Sequence, residues 1–158
     1  MLLSVLAGCS DLGTEPWQGW TKYDLAGAEI SVPSELEYGF YFCDPFPCNP
    51  FWQGTFKGAQ LFIEYCLFVM PPFDSLTQYK EEPVILADGT TAILFTGTGP
   101  LHLYDPRRLE LIGVKMQVEG TDRPLIVTVA AASRDAFPTA KTILKSIRHK
   151  PLPSGSPD

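Results

Sequence analysis

Positive charge is scarce in this chain. Its 12 lysines and arginines stand against 18 aspartates and glutamates, for a formal net charge of −6. Only Arg107-Arg108 and the basic residues near the C-terminal end of the chain form groupings. Binding to a phosphate backbone needs clustered cations, so this balance argues against nucleic acid as a partner. Charge of either sign is thin at 19% of residues, whereas hydrophobic residues make up 45% and aromatics 12%. That composition excludes a disordered chain and supplies one sizeable core in 158 residues. No apolar run reaches the roughly eighteen residues of a membrane-spanning helix. A serine-nucleophile elbow, a phosphate-cradling glycine loop and paired metal-binding histidines are all missing, so no catalytic residue and no cofactor is expected.

What is abundant is proline, with 15 residues, most at the edges of segments that read as strands. The chain opens MLLSVLAGCS. Residues 2–8 supply a minimal apolar stretch ending in small residues, the pattern of an export signal without its basic start. Leu6-Ala7-Gly8-Cys9 resembles the bacterial lipobox, in which a small residue precedes the cysteine that is lipidated and becomes the mature N-terminus. The resemblance implies acyl chains on Cys9, loss of residues 1–8, and, with Ser10 next in line, sorting to the outer membrane facing the periplasm. Several acyl chains give stable anchoring where one is marginal. So short an apolar segment points to a start codon upstream of Met1. The competing reading makes residues 1–8 an ordinary first strand with a buried thiol. Residues 9–19 have Gly, Pro, Ser and Asp without periodicity and read as a tether.

Three other cysteines remain, at 43, 48 and 66. In an oxidising compartment disulfides persist, and Cys43 and Cys48 bracket the short loop CDPFPC as the natural pair. Closing so small a loop stabilises by about 2 kcal/mol. Redox catalysis uses two intervening residues rather than four, and zinc needs four ligands where no histidine is near. Cys66 lies in an apolar run and reads as a small buried hydrophobe. Pairing of Cys66 with Cys43 or Cys48 stays open, because three thiols leave one odd.

The folded part is expected from residue 20 to 149, followed by a proline-rich disordered tail at 150–158. Residues 28–32, AEISV, alternate and stop at Pro33, a half-buried strand. Residues 60–70 are apolar on both faces apart from Gln60 and Glu64, so they belong inside a sheet with something packed over it. Ser75 to Gln78 has capping-box spacing, which predicts a short helix carrying Leu76 and Tyr79. Asp88-Gly89 between two apolar runs predicts a hairpin with a two-residue turn. Gly97-Thr98-Gly99 reads as a turn between strands. Ile112, Val114, Met116 and Val118 alternate with polar residues, with Leu109 and Leu111 out of phase, so a bulge near Gly113 is expected. Residues 125–132 should return antiparallel to that strand. Ala136, Phe137, Ala140, Ile143, Leu144 and Ile147 recur at helical spacing, with Asp135 as N-cap, Pro138 in the first turn and His149 at the helix end. The fold class expected is α+β: an antiparallel β-sheet packed against a C-terminal amphipathic α-helix.

The strand ending ISVP and the ending AKTILKSIRH, with Ala140, Ile143, Leu144, Ser146 and Ile147 in the pattern, resemble the PsbP-like (Mog-type) α+β proteins and related small bacterial lipoproteins. The match spans about residues 23–149, and the insert CDPFPCNPFW departs from it. The resemblance implies a non-enzymatic, partner-binding domain and carries over no catalytic residue.

The most suggestive surface is aromatic. Tyr41, Phe42, Phe46, Phe51 and Trp52, together with Phe40, surround the Cys43–Cys48 loop, and prolines at 45, 47 and 50 oppose regular pairing there. Such a loop either offers exposed rings as a docking site or folds them back as a lid on the core. Glu35, Glu37 and Asp44 read as a solvated acidic edge. The function expected is that of a lipid-anchored envelope protein whose soluble domain binds or scaffolds another envelope component. The alternatives are a small hydrolase or transferase assembled from Asp44, His102 and tyrosines, and an immunity-type inhibitor.

Overall fold

A computed structural model describes residues 16–25, 27–40, 50–66, 73–101 and 106–150. The described strands are β1 (Thr21–Leu25), β2 (Ala28–Val32), β3 (Glu37–Phe40), β4 (Pro50–Phe56), β5 (Ala59–Cys66), β6 (Thr77–Ile85), β7 (Thr91–Gly99), β8 (Leu109–Gln117) and β9 (Pro124–Ala131). One helix, α1 (Phe137–Lys145), follows, and then a short strand β10 (Arg148–His149). Two antiparallel sheets result, β1-β2-β10 and β3-β4-β5-β9-β8-β7-β6.

The strands at 28–32 and 124–131 form where alternation and double-sided apolarity predict them, and β5 sits inside the large sheet between β4 and β9. The Asp88-Gly89 hairpin also forms, joining β6 to β7. Its loop is longer than expected. Leu86 N–H bonds Thr90 O at 2.9 Å and Gly89 N–H bonds Leu86 O at 3.0 Å, leaving a three-residue loop in which Gly89 takes φ 83°. That is a type I turn closed by a left-handed residue, so only the glycine position needs positive φ.

The α+β expectation is overturned. Strands take 57% of the described residues and helical turns 13%, so the protein is mostly β and not a PsbP-like arrangement. The helix is shorter than its periodicity suggested for two local reasons. At its start Ser133, not Asp135, caps a 3-10 turn over Arg134–Ala136, its Oγ accepting from Asp135 N–H at 3.2 Å. At its end the backbone leaves the helix after Lys145, and Arg148 and His149 pair with Glu29 and Ala28 on β2. His149 is therefore a strand residue rather than a helix terminus. Ser146 makes that exit possible. Its buried hydroxyl accepts from Ser31 N–H at 3.0 Å, and its single proton faces Ile143 O at 2.6 Å and Ser31 O at 3.1 Å. The side chain thus serves the β2 backbone just beyond the reach of β10.

Three further expectations give way to sheet pairing. Leu76 and Tyr79 are not helical: a 3-10 turn ends at Ser75 and β6 begins at Thr77, with a register break at Gln78, which takes φ 54°. Gly97-Thr98-Gly99 is the end of β7, not a turn. The register of β8 against β7 and β9 is unbroken through Gly113, so Leu109 and Leu111 are not displaced by a bulge. They face the opposite side of a sheet that buries both faces.

On the inner face Trp52, Leu61, Ile63, Leu94, Val114, Leu125, Val127 and Val129 meet Ile30 and Val32 of the small sheet and Ala140, Ile143 and Leu144 of α1. On the outer face Leu76, Leu101, Leu111 and Ala130 form a second, smaller cluster with Phe62, Phe73, Tyr79 and Leu109 at its border. Each fully buried large aliphatic side chain stabilises by about 1.5–3 kcal/mol relative to exposure. Among the described residues the inner layer therefore contributes the larger share of stabilising apolar burial.

Candidate cleft on the outer face of the large sheet

The outer face is built from cross-strand rows. Glu37 lies opposite Gln53, Gln53 opposite Phe62, Phe62 opposite Ala130, and Ala130 opposite Leu111. In the next row outward come Gln60 of β5, Ala132 just beyond β9, and Leu109 of β8. Because alternate residues of a strand share a face, Ala130 and Ala132 place two methyl groups where their neighbours on β5 and β8 are long. The result is a trough with Phe62 and Gln60 on one wall and Leu109 on the other.

This trough belongs to a cleft of about 470 Å³. Between the walls of Phe62 and Leu109 its floor is the alanines at 130–132, with Gly54 beside them. Gln53 and Gln60 contribute amides. Glu35 and Glu37 stand at the β3 end and Arg107 at the β8 end, all three exposed. An apolar floor with a few convergent polar groups is the usual make-up of a ligand site. Glu64 lies further along the same face of β5, buried opposite Thr128.

The opposite half of the outer face is filled by the chain itself. Leu76 packs over Gly97 and Gly99, where a Cβ at 97 would meet its side chain at 3.1 Å. A Cβ at Gly113 would strike the Phe95 ring and lie 2.6 Å from Val127 O, so the ring can lie flat only because residue 113 has no side chain. Lys115 points its ammonium into the group of rings so formed, 4.1 Å from the centre of Phe73, 5.4 Å from Tyr79 and 5.7 Å from Phe95. It also donates to Tyr79 Oη at 2.6 Å and to Glu81 Oε1 at 2.5 Å, while Tyr79 hydrogen-bonds Glu81. The hydrogen bonds from Lys115 and Tyr79 hold the Glu81 carboxyl below its ordinary range. Burial and the bond to Glu81 push the Tyr79 hydroxyl up. A phenol so held is a hydrogen-bond donor rather than a base at neutral pH.

A hydroxyl, an imidazole and a carboxylate also meet on the other side of the molecule. His149 Nδ1 lies 3.1 Å from Asp88 Oδ2 and 3.1 Å from Thr90 Oγ1, and its Nε2 lies 3.1 Å from Gln117 O. Nucleophilic catalysis needs the hydroxyl and the carboxylate on opposite ring nitrogens. Here both contact Nδ1 and a carbonyl occupies Nε2, so the group ties β10 to the hairpin instead of relaying a proton. Burial works against the Asp88 carboxylate, but the N–H groups of His149 and Thr90 outweigh it and hold its pKa well below the usual range.

The sequence-derived candidates fare unequally. Cys9, Cys43, Cys48, Tyr41, Phe42, Phe46, Asp44 and His102 lie outside the described residues. Phe51 and Trp52, adjacent in sequence, point to opposite faces of β4. Trp52 is fully buried in the core, edge-on to Tyr23 at 4.9 Å. Phe51 is half-buried on the outer face and stacks on Phe62 at 5.1 Å. Exposed aromatic surface appears at Tyr38 and Phe40 of edge strand β3, 46% and 63% exposed. Cys66 is buried, as an apolar thiol would be. Glu35 and Glu37 are exposed as expected but line the cleft. Gln53, Gln60, Phe62 and the alanines escaped notice because only cross-strand register brings them together. Their one local signal is the small-residue run at 130–132 at the end of an otherwise bulky strand.

Among the described residues no group of histidine, cysteine and carboxylate side chains could hold a metal ion, and no helix is long and apolar enough to cross a membrane. A scan against protein-family models and a search of curated proteins find nothing that matches this chain.

Proposed function

We propose that the chain is a lipid-anchored envelope protein, tethered through Cys9, whose folded part binds another envelope component through the outer-face cleft. The observation that carries the binding half is the cleft itself. It is an apolar trough with charges of opposite sign at its two ends, and strands carry its two amides, Phe62, Leu109 and Glu37. The Leu6-Ala7-Gly8-Cys9 motif supports the address. A lipid tether suits such a domain, because confinement to the membrane surface raises the local concentration of a partner held there.

The test is made in cells, with the chain placed behind a complete export signal. Incorporation of a labelled fatty acid should be lost on Cys9→Ser. A photo-cross-linking residue at Gln53, in the cleft, should give an envelope adduct that the same residue at Lys145, on the exposed side of α1, does not. A product that stays unlabelled and retains residues 1–8 refutes the anchor, and equal adducts from both positions refute the site.

A further inference from the structure

Resting on the binding reading above, we infer that the cleft takes an extended peptide carrying one apolar and one basic side chain. Three features fix that occupant. The two methyl groups of Ala130 and Ala132 leave a recess between Phe62 and Leu109, whose strands flank β9, and its apolar lining suits an aliphatic side chain. Beside it, Gln53 and Gln60 are exposed on neighbouring strands. Each side-chain amide offers both a donor and an acceptor, the complement of a peptide group.

The charges set the direction. Glu35 and Glu37 are both exposed at the β3 end, and Arg107 lines the β8 end. A basic side chain is attracted at the first and repelled at the second, so the peptide lies with its cation over β3. From Ala130 to Glu37 is three strand spacings, about 14 Å, which an extended chain of roughly four residues spans. That is about four residue steps, so the apolar and basic side chains are four positions apart, which also puts them on one face of the extended chain. The open, shallow form of the site and its solvated carboxylates give a weak, salt-sensitive complex.

The experiment is a titration of the intact folded chain with fluorescein-labelled Leu-Ala-Ala-Ala-Lys-amide, followed by anisotropy at low salt. Leu-Ala-Ala-Ala-Glu-amide and Ala-Ala-Ala-Ala-Lys-amide serve as controls. The Lys peptide should bind at least tenfold tighter than the Glu peptide, and the Leu peptide tighter than its Ala counterpart. Glu35→Gln with Glu37→Gln should erase the charge preference with an unchanged melting temperature. Ala132→Leu, at an exposed position, should weaken the Leu peptide by tenfold or more. Equal binding of the Lys and Glu peptides, or binding of free lysine amide as tight as that of the peptide, overturns the inference. If the Gln53 adduct forms in cells while the peptides show no preference, the site stands and the occupant is wrong. If neither is seen, both readings fall.

Discussion

The two halves of the outer face are made from the same sheet and solve the same problem differently. Around β6, β7 and the adjoining part of β8, glycines at 97, 99 and 113 leave room that Leu76 and Phe95 fill, and Lys115 seals the rings from above. Around β5, β9 and the first residues of β8, alanines at 130 and 132 leave room that remains a cleft. Small residues in a sheet therefore do not by themselves make a site. Whether they do depends on what the rest of the chain brings back over them.

Three changes sharpen that contrast. Phe95→Ala should have the largest effect, because it empties the filled half of a fully buried ring. A loss of about 3–5 kcal/mol in denaturant unfolding is expected. A loss below ~1 kcal/mol would mean that this half is packed no better than the cleft. Lys115→Met should cost about 1 kcal/mol, since a partly exposed cation over aromatic rings and its pair with Glu81 each contribute modestly. The difference from the parent should shrink in molar salt if the pair with Glu81 dominates and persist if the contact with the rings does. Ala132→Leu should have the smallest effect on stability, within about 0.5 kcal/mol, because the position is exposed. A marked loss there would show that the recess is part of the core.

How much of this was legible beforehand follows the range of the interactions involved. The strand at 28–32, the Asp88-Gly89 hairpin and the pairing of β8 with β9 were readable, because alternation and turn chemistry are local. Leu109 and Leu111 were misread because alternation assumes one buried face. The second face is buried too, where Leu76, Leu101 and Ala130 pack with Leu111. The final helix was overextended for a related reason. Its apolar spacing continues through Ile147, but Ser146 bonds the backbone of Ser31, 115 positions away, and turns the chain into β10. Fold class is decided by the strands, which take 57% of the described residues against 13% in helical turns.

For the site, Glu35 and Glu37 were visible as residues but not as lining. A carboxylate on an edge strand looks the same in sequence whether it faces bulk water or a trough. The aromatic cluster around residue 51 shows the converse. Phe51 and Trp52 are neighbours in sequence, yet the pleat sends one to the outer face and the other into the core.

Composition alone determined that this chain would bury a large apolar core, because that property depends on totals. Local order determined most strands and the tight turn, because backbone preference acts over a few residues. Tertiary structure alone decided that Ala130 and Ala132 would lie between Phe62 and Leu109 and that the carboxylates of Glu35 and Glu37 would stand at one end of the cleft. Cross-strand register is set by the summed packing of seven strands, which no single segment encodes.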